Sequence, residues 1–159
     1  MLAIEHIAKA YGKVQALSDF TYSFDTGIYA LLGPNGSGKS TLMNILTCNL
    51  SPDKGRILFH GEAVDGNTAP YYSKIGYMPQ YPGMYPSFTA FEMLDYLCVL
   101  KGMERRQAAL KIHELLDVVE LSDVQNRPIR TFSGGMKQRL ALIQAFLGEP
   151  EIVVLDEPT

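Results

Sequence analysis

Residues 33–41 read Gly-Pro-Asn-Gly-Ser-Gly-Lys-Ser-Thr, directly behind the apolar run Ile28-Tyr29-Ala30-Leu31-Leu32. Residue types in this order suit the capture of a polyphosphate. Gly33, Gly36 and Gly38 let the backbone bend tightly and turn its N–H groups toward an anion. Lys39 supplies a point charge for β- and γ-phosphates, and the Ser40 hydroxyl can ligate Mg2+. Pro34, Asn35 and Ser37 complete the loop, and Thr41 continues into a helix that carries Leu42, Ile45 and Leu46 on one face. That helix adds its positive dipole end to the site. A Gly-rich turn with a surface lysine is the plainer alternative; an apolar strand placed immediately before the loop weighs against it. Far along the chain, Ile152-Val153-Val154-Leu155 delivers Asp156 and Glu157 to the C-terminal end of a strand, where ligands sit in open α/β sheets. One carboxylate there can hold Mg2+ through water, and the next can take the proton of a water attacking a γ-phosphate. These residues imply that the chain binds a nucleoside triphosphate.

The elements that must position them alternate in the manner of a parallel α/β sheet. Leu2–Ile7 alternates weakly and reads as an edge strand, while Phe20, Tyr22 and Phe24 fall on one face of a half-buried strand. Gly27 turns the chain into an expected buried strand over Ile28–Leu32. Ser51-Pro52-Asp53-Lys54-Gly55 is a strong turn, followed by short strands at Arg56–His60 and Ile75–Met78. From about Thr89 to Val119 the apolar spacing becomes helical, with a break near Gly102. Ser133 starts a last helix that runs to Leu147, with Gly148 and Pro150 to stop it. Ile152–Leu155 is apolar and rich in β-branched residues, as the centre of a parallel sheet demands.

Composition narrows the class of protein. At 159 residues, with 47% hydrophobic and 19% charged residues, the chain has an ordinary globular profile and enough length for a core. It is short for a whole ATPase of the phosphate-loop kind. A net charge of −3 leaves no broad basic field, so nucleic acid is not an expected partner. Cys48 and Cys98 have no metal-ligand spacing and read as reduced core thiols. The longest apolar stretch, around Phe91–Leu100, falls far short of the roughly 20 residues that a membrane span needs. Any membrane contact is therefore expected to go through another subunit.

With Ser-Gly-Gly-Met-Lys-Gln-Arg at 133–139 added, the pattern resembles the nucleotide-binding domain of ATP-binding cassette (ABC) transporters. Gly33–Thr41 matches Walker A, Ile152–Glu157 matches Walker B with its catalytic glutamate, and Ser133-Gly134-Gly135 matches the signature. Gln80 fits the Q-loop glutamine and Tyr11 fits the aromatic that stacks on adenine, all in the family's order. The resemblance implies a phosphate-loop NTPase fold: α/β, with a mainly parallel core sheet, an antiparallel β N-terminal part and a helical insert. It divides the chain into a β-rich core over 1–88, a helical subdomain over 89–132, and the signature helix with the Walker B strand over 133–159. It also implies ATP and Mg2+ as ligands, with Gln80 and Glu157 in catalysis and Ser40, Gln80 and Asp156 at the metal.

In the family, the signature of one domain closes over the nucleotide of a partner, so a second ABC ATPase domain is expected. A Ser-Gly-Gly turn opening a helix suits that role, since it offers bare N–H groups and a hydroxyl; a plain Ser N-cap is the alternative. A polytopic membrane permease is expected to dock near Gln80–Phe88, where exposed Tyr and Met residues would form an adaptable surface. The ATPase would then lie at the cytoplasmic face of the membrane. Two departures stand out. Phe132 and Met136 replace the leucine and glutamine of the usual Leu-Ser-Gly-Gly-Gln signature, and variants of this type resemble exporters of the drug, lantibiotic and ABC-2 kind. The chain also stops just past Walker B, without counterparts of the D-loop and switch histidine, and is therefore expected to be truncated. Two other readings remain open: a nucleotide-binding module that does not hydrolyse, and a soluble ABC ATPase of translation or DNA repair.

Overall fold

The computed structural model describes residues 1–64 and 69–157. They form two compact units, Met1–Tyr72 and Ser73–Thr159. In the first unit, β1 (Leu2–Tyr11), β2 (Val14–Phe24), β3 (Lys54–Phe59) and β4 (Glu62–Ala63) make an antiparallel sheet in the order β2-β1-β3-β4. The helix α1 (Lys39–Leu46) buries Leu42, Ile45 and Leu46, positions that share one helical face. A second helix, α2 (Ala69–Lys74), spans the unit boundary and donates from the Tyr71 hydroxyl to the Leu46 carbonyl at 2.8 Å. Burial, with the Cys48 thiol nearby as a lesser cause, holds the Tyr71 phenol far above its ordinary range.

Two expectations for this unit are corrected. The first strand is not an edge: β1 pairs with β2 on one side and β3 on the other. Its weak alternation has a physical origin in bulges. The register runs Ile4↔Tyr22, Ile7↔Phe20, Lys9↔Leu17, so one extra residue enters β1 and then one enters β2. His6 and Asp19, at φ 53° and 55°, mark the first two irregular sites; a third lies between Lys9 and Ala10, where β2 steps from Leu17 to Gln15, and the buried face switches from Leu2 and Ile4 to Ile7. The second correction concerns Ile28–Leu32. Among the described residues no strand pairs with this run, and Ile28 and Leu32 are 103% and 92% exposed. An apolar run becomes a strand only through a ladder partner. Here Tyr29 turns back instead: its ring lies 5.0 Å from Phe24, and its hydroxyl accepts from the Asp25 N–H.

The second unit combines a short parallel sheet with a helical core. The strands β5 (Ile75–Met78) and β6 (Ile152–Leu155) pair in parallel from Ile75↔Ile152 to Met78↔Leu155. Only Val154 of β6 is fully buried, so the strand is less enclosed than its sequence implies. The core of the unit lies among α3 (Ala90–Leu100), α4 (Arg105–Val118) and α5 (Gly134–Gln144), around Leu94, Ile112, Leu116 and Leu140. Thr89 and Glu92 form a capping box that starts α3, and Glu104 caps α4 just beyond the expected break at Gly102. The last helix ends at Gln144, three residues before the expected Leu147. Gly76 answers a packing demand: a β-carbon there would run into the carbonyl oxygen of Ala145 and lie 3.2 Å from Pro150 Cγ. The backbones of β5 and the turn after α5 can approach this closely only because residue 76 has no side chain.

Candidate functional site

The loop over residues 33–38 is closed by a turn in which Ser37 N–H donates to the Pro34 carbonyl at 3.2 Å. Gly36 and Gly38 take φ values of 82° and 91°, which L side chains rarely adopt. Gly38 is confined as well: an added β-carbon would lie 2.5 Å from the Ala16 carbonyl oxygen and 3.0 Å from Leu17 Cδ2. Gly38 is also the N-cap of α1 and has no side-chain cap, which leaves the first N–H groups of the helix to a ligand. Lys39 folds back across the loop, and Nζ donates to the carbonyls of Gly33 at 2.8 Å and Pro34 at 3.0 Å. The ammonium is thereby held at the loop itself. Ser40 and Thr41 follow in the first turn of α1, with the Ser40 side chain exposed.

Tyr11 belongs to the same unit. It closes the β1–β2 hairpin, pairs with Val14 and is 52% exposed. Ala16 and Leu17, which meet the loop at Gly38, lie two and three residues further along β2. At about 3.3 Å per residue, Tyr11 is roughly 7–10 Å along the strand from that contact. This spacing can hold a base while the loop holds the phosphates.

The second unit carries the other candidates. Parallel pairing of β5 with β6 continues one step past the strands, where Asp156 N–H donates to the Met78 carbonyl at 2.9 Å. This alignment brings Gln80 to Glu157, and Nε2 donates to Oε2 at 2.6 Å. Glu157 sits at φ 51°, a left-handed conformation that turns its side chain out of the strand's alternation. Asp156 is buried. Burial, and secondarily the charge of Asp156, push the Tyr77 phenol above its ordinary value. Ser133 N-caps α5: its Oγ accepts from Met136 N–H at 3.2 Å, which leaves the hydroxyl proton available to donate. Space around Gly134 and Gly135 is open. The two signature departures both have packing roles, since Phe132 is buried and Met136 packs against the helical core.

The structure therefore gathers Gly33–Thr41 and Tyr11 in one unit. In the other, a single cleft of about 600 Å³ is lined by Gln80, Glu157, Gly134 and Lys137. The sequence reading overlooked one supporting residue. Arg139 of α5 donates from Nη1 to the Val119 carbonyl at 2.7 Å, which steadies the signature helix against the end of α4. Its only signal was an arginine just before the buried Leu140, Ala141 and Ile143 of α5.

The model of the ABC transporter family matches residues 17–159. The chain belongs to the ABC transporter family. It is 40% identical over 159 residues to the uncharacterized ABC transporter ATP-binding protein YxlF of Bacillus subtilis, covering 99% of this chain and 52% of that protein. It is 38% identical over 160 residues to the linearmycin resistance ATP-binding protein LnrL of the same organism, covering 100% of this chain and 51% of that protein. It is 33% identical over 159 residues to the molybdate/tungstate import ATP-binding protein WtpC of Methanocaldococcus jannaschii, covering 100% of this chain and 53% of that protein. The chain thus spans about half the length of these curated relatives. Among solved structures, a dimeric post-hydrolysis ATP-binding cassette, MJ0796 bound to ADP and Pi, matches with a TM-score of 0.87 and 28% identity. That match covers 100% of this chain and 75% of that one. The mixed α/β cassette fold, with an antiparallel N-terminal sheet and a parallel sheet, accords with the fold expected from sequence.

Proposed function

We propose that the chain is the ATP-binding and ATP-hydrolysing part of an ABC transporter, whose ATP-driven pairing with a second cassette works a membrane permease. The observation that carries this reading is the Gly33–Thr41 loop, with Lys39 Nζ already held 2.8 Å from the Gly33 carbonyl. Phosphates entering the loop exchange those carbonyls for a charge-assisted contact with Lys39, while the first N–H groups of α1 face the same anion. Tyr11 stacks on the adenine. The oxygen donors present suit Mg2+, namely the Ser40 hydroxyl, the buried Asp156 carboxylate and Oε1 of Gln80, whose amide nitrogen is already engaged by Glu157. Mg2+ held by donors of this kind would neutralise charge on the β- and γ-phosphates.

Glu157 is the general base. Gln80 occupies Oε2 at 2.6 Å, which leaves Oε1 to take the proton of the attacking water. Ser133, Gly134 and Gly135 serve the nucleotide held by the second cassette, since the hydroxyl proton of Ser133 and the open N–H groups point to an anion. The permease docks near Gln80–Phe88, which places the subunit at the cytoplasmic face of the membrane. Export is the proposed direction, on the likeness of the Ser133–Arg139 signature to exporters. The test uses the full-length protein: Glu157→Gln is expected to cut turnover by about 10²–10⁴-fold with ATP binding retained and ATP-bound dimers accumulating. A Gln variant that turns over ATP at the wild-type rate contradicts the assignment.

A further inference from the structure

The strand β1 outruns β3 at the end that carries Tyr11. Their last pair is Ala8↔Lys54, whereas pairing with β2 continues to Tyr11↔Val14. Asp53, the residue before β3, covers the side of β1 that β3 has left. Its N–H donates to the Ala8 carbonyl at 2.9 Å, and its carboxylate accepts from the Ala10 N–H at 2.8 Å. One residue thus supplies, from backbone and side chain, the bonds that a longer β3 would have made. Lys9 Nζ donates to the other carboxylate oxygen at 2.7 Å. That bond first, and the Ala10 N–H second, hold the carboxyl below its ordinary range. The acceptor facing Ala10 is therefore ionised at neutral pH, and the bond is charge-assisted. It also falls on a register step. Lys9 pairs with Leu17 and Ala10 with Gln15, so Ala16 is the extra residue on β2. The Gln15 side chain spans this bulge, donating from Nε2 to the Leu17 carbonyl at 2.5 Å. The Ala16 carbonyl is the group that a β-carbon at Gly38 would meet. One bulge therefore touches the phosphate loop from β2 and precedes Tyr11 on β1.

We propose that Asp53 is a positioning residue for the base: its carboxylate, bonded to the Ala10 N–H, sets where Tyr11 stands relative to the phosphate loop. The inference rests on the assignment of Tyr11 to adenine above and adds the group that places it. Bulges bend a strand and re-aim the side chains beside them, so the end of β1 needs a hold on each side. Pairing with β2 gives one hold, and Asp53 gives the other at the residue before Tyr11. The Tyr11 ring is half exposed, so its position follows from its backbone more than from its packing. Asp53 acts on the nucleotide only through this backbone.

The test is a double-mutant cycle on the full-length protein, titrated with Mg-ATP as wild type, Tyr11→Ala, Asp53→Ala and the double variant. Tyr11→Ala is expected to weaken binding about five- to 150-fold, the scale of a base–aromatic stack. Asp53→Ala is expected to weaken it about three- to tenfold, the scale of one charged hydrogen bond at a surface. In the Tyr11→Ala background, Asp53→Ala is expected to change affinity by less than about twofold, because the ring it places is gone. A merely structural role would weaken binding equally in both backgrounds, and that outcome overturns the proposal. Lys9→Met leaves the Ala10 bond in place and is expected to bind within about twofold of wild type. A Lys9→Met loss as large as that of Asp53→Ala assigns the effect to the ion pair and overturns the role of the Ala10 bond. Wild-type affinity in Asp53→Ala, beside a weakened Tyr11→Ala, overturns the proposal and leaves Tyr11 at the adenine. Wild-type affinity in Tyr11→Ala removes the adenine assignment itself, and the proposal with it.

Discussion

Replacing Gly38 and Gly36 by alanine separates two physical effects at the phosphate loop. Both glycines have φ in the left-handed half of the map, 91° and 82°, so both variants carry a backbone cost of about 1–2 kcal/mol. Only at residue 38 does the new methyl meet a wall, 2.5 Å from the Ala16 carbonyl oxygen and 3.0 Å from Leu17 Cδ2, whereas nothing lies within 4 Å at residue 36. The carbonyl belongs to β2 and cannot step aside without disturbing the β1–β2 ladder, so overpacking adds about 1–3 kcal/mol. Gly38→Ala is therefore expected to be less stable than Gly36→Ala by that second amount. With a urea m-value of about 2 kcal/mol per molar, the midpoints should differ by roughly 0.5–1.5 M. The assay is equilibrium urea unfolding of both variants beside wild type, with matched m-values as the control. Equal midpoints for the two variants would refute the claim that β2 holds the loop at Gly38.

Two further outcomes follow from the first unit. Tyr11→Ala is expected to weaken ATP binding by about 1–3 kcal/mol, the scale of a base–aromatic stack, and a titration showing unchanged affinity removes the residue from the site. The Asp53 carboxyl is held below its ordinary range, first by the 2.7 Å hydrogen bond from Lys9 and then by the Ala10 N–H at 2.8 Å. A depressed folded value means that the unfolded chain binds the proton more readily, so this stabilisation is present above the ordinary carboxylate value of about 3.9 and is lost as pH falls through the folded one. The stability advantage of wild type over Asp53→Asn should accordingly shrink on acidification below about pH 4. An advantage that does not change with pH excludes the ion pair as its source.

How much of this was legible in the sequence depended on the range of the interactions. Ile75–Met78 and Ile152–Leu155 were read with the bounds that β5 and β6 have, because short runs closed by Pro79 and by Asp156 carry their own punctuation. The start of α5 was equally local, since Ser133 caps it through Met136. The bulges at His6 and Asp19 were not local: they exist only where β1 and β2 pair, and they hid the interior position of β1. Ile28–Leu32 looked like a strand because composition reports apolarity and is silent on ladder partners. For the candidate site, the spacing of Gly33, Gly38, Lys39 and Ser40 was visible directly. The bond from Gln80 to Glu157 spans 77 residues and arises from the parallel register, which no local pattern encodes.

The most direct test of nucleotide capture by the Gly33–Thr41 loop is isothermal titration of wild type and Lys39→Ala with Mg-ATP. Lys39 Nζ is the charge that the loop carbonyls hold in place, so wild type is expected to bind and Lys39→Ala to give no measurable heat of binding at the same concentrations. Unchanged affinity in the Lys39 variant would contradict the account at its centre.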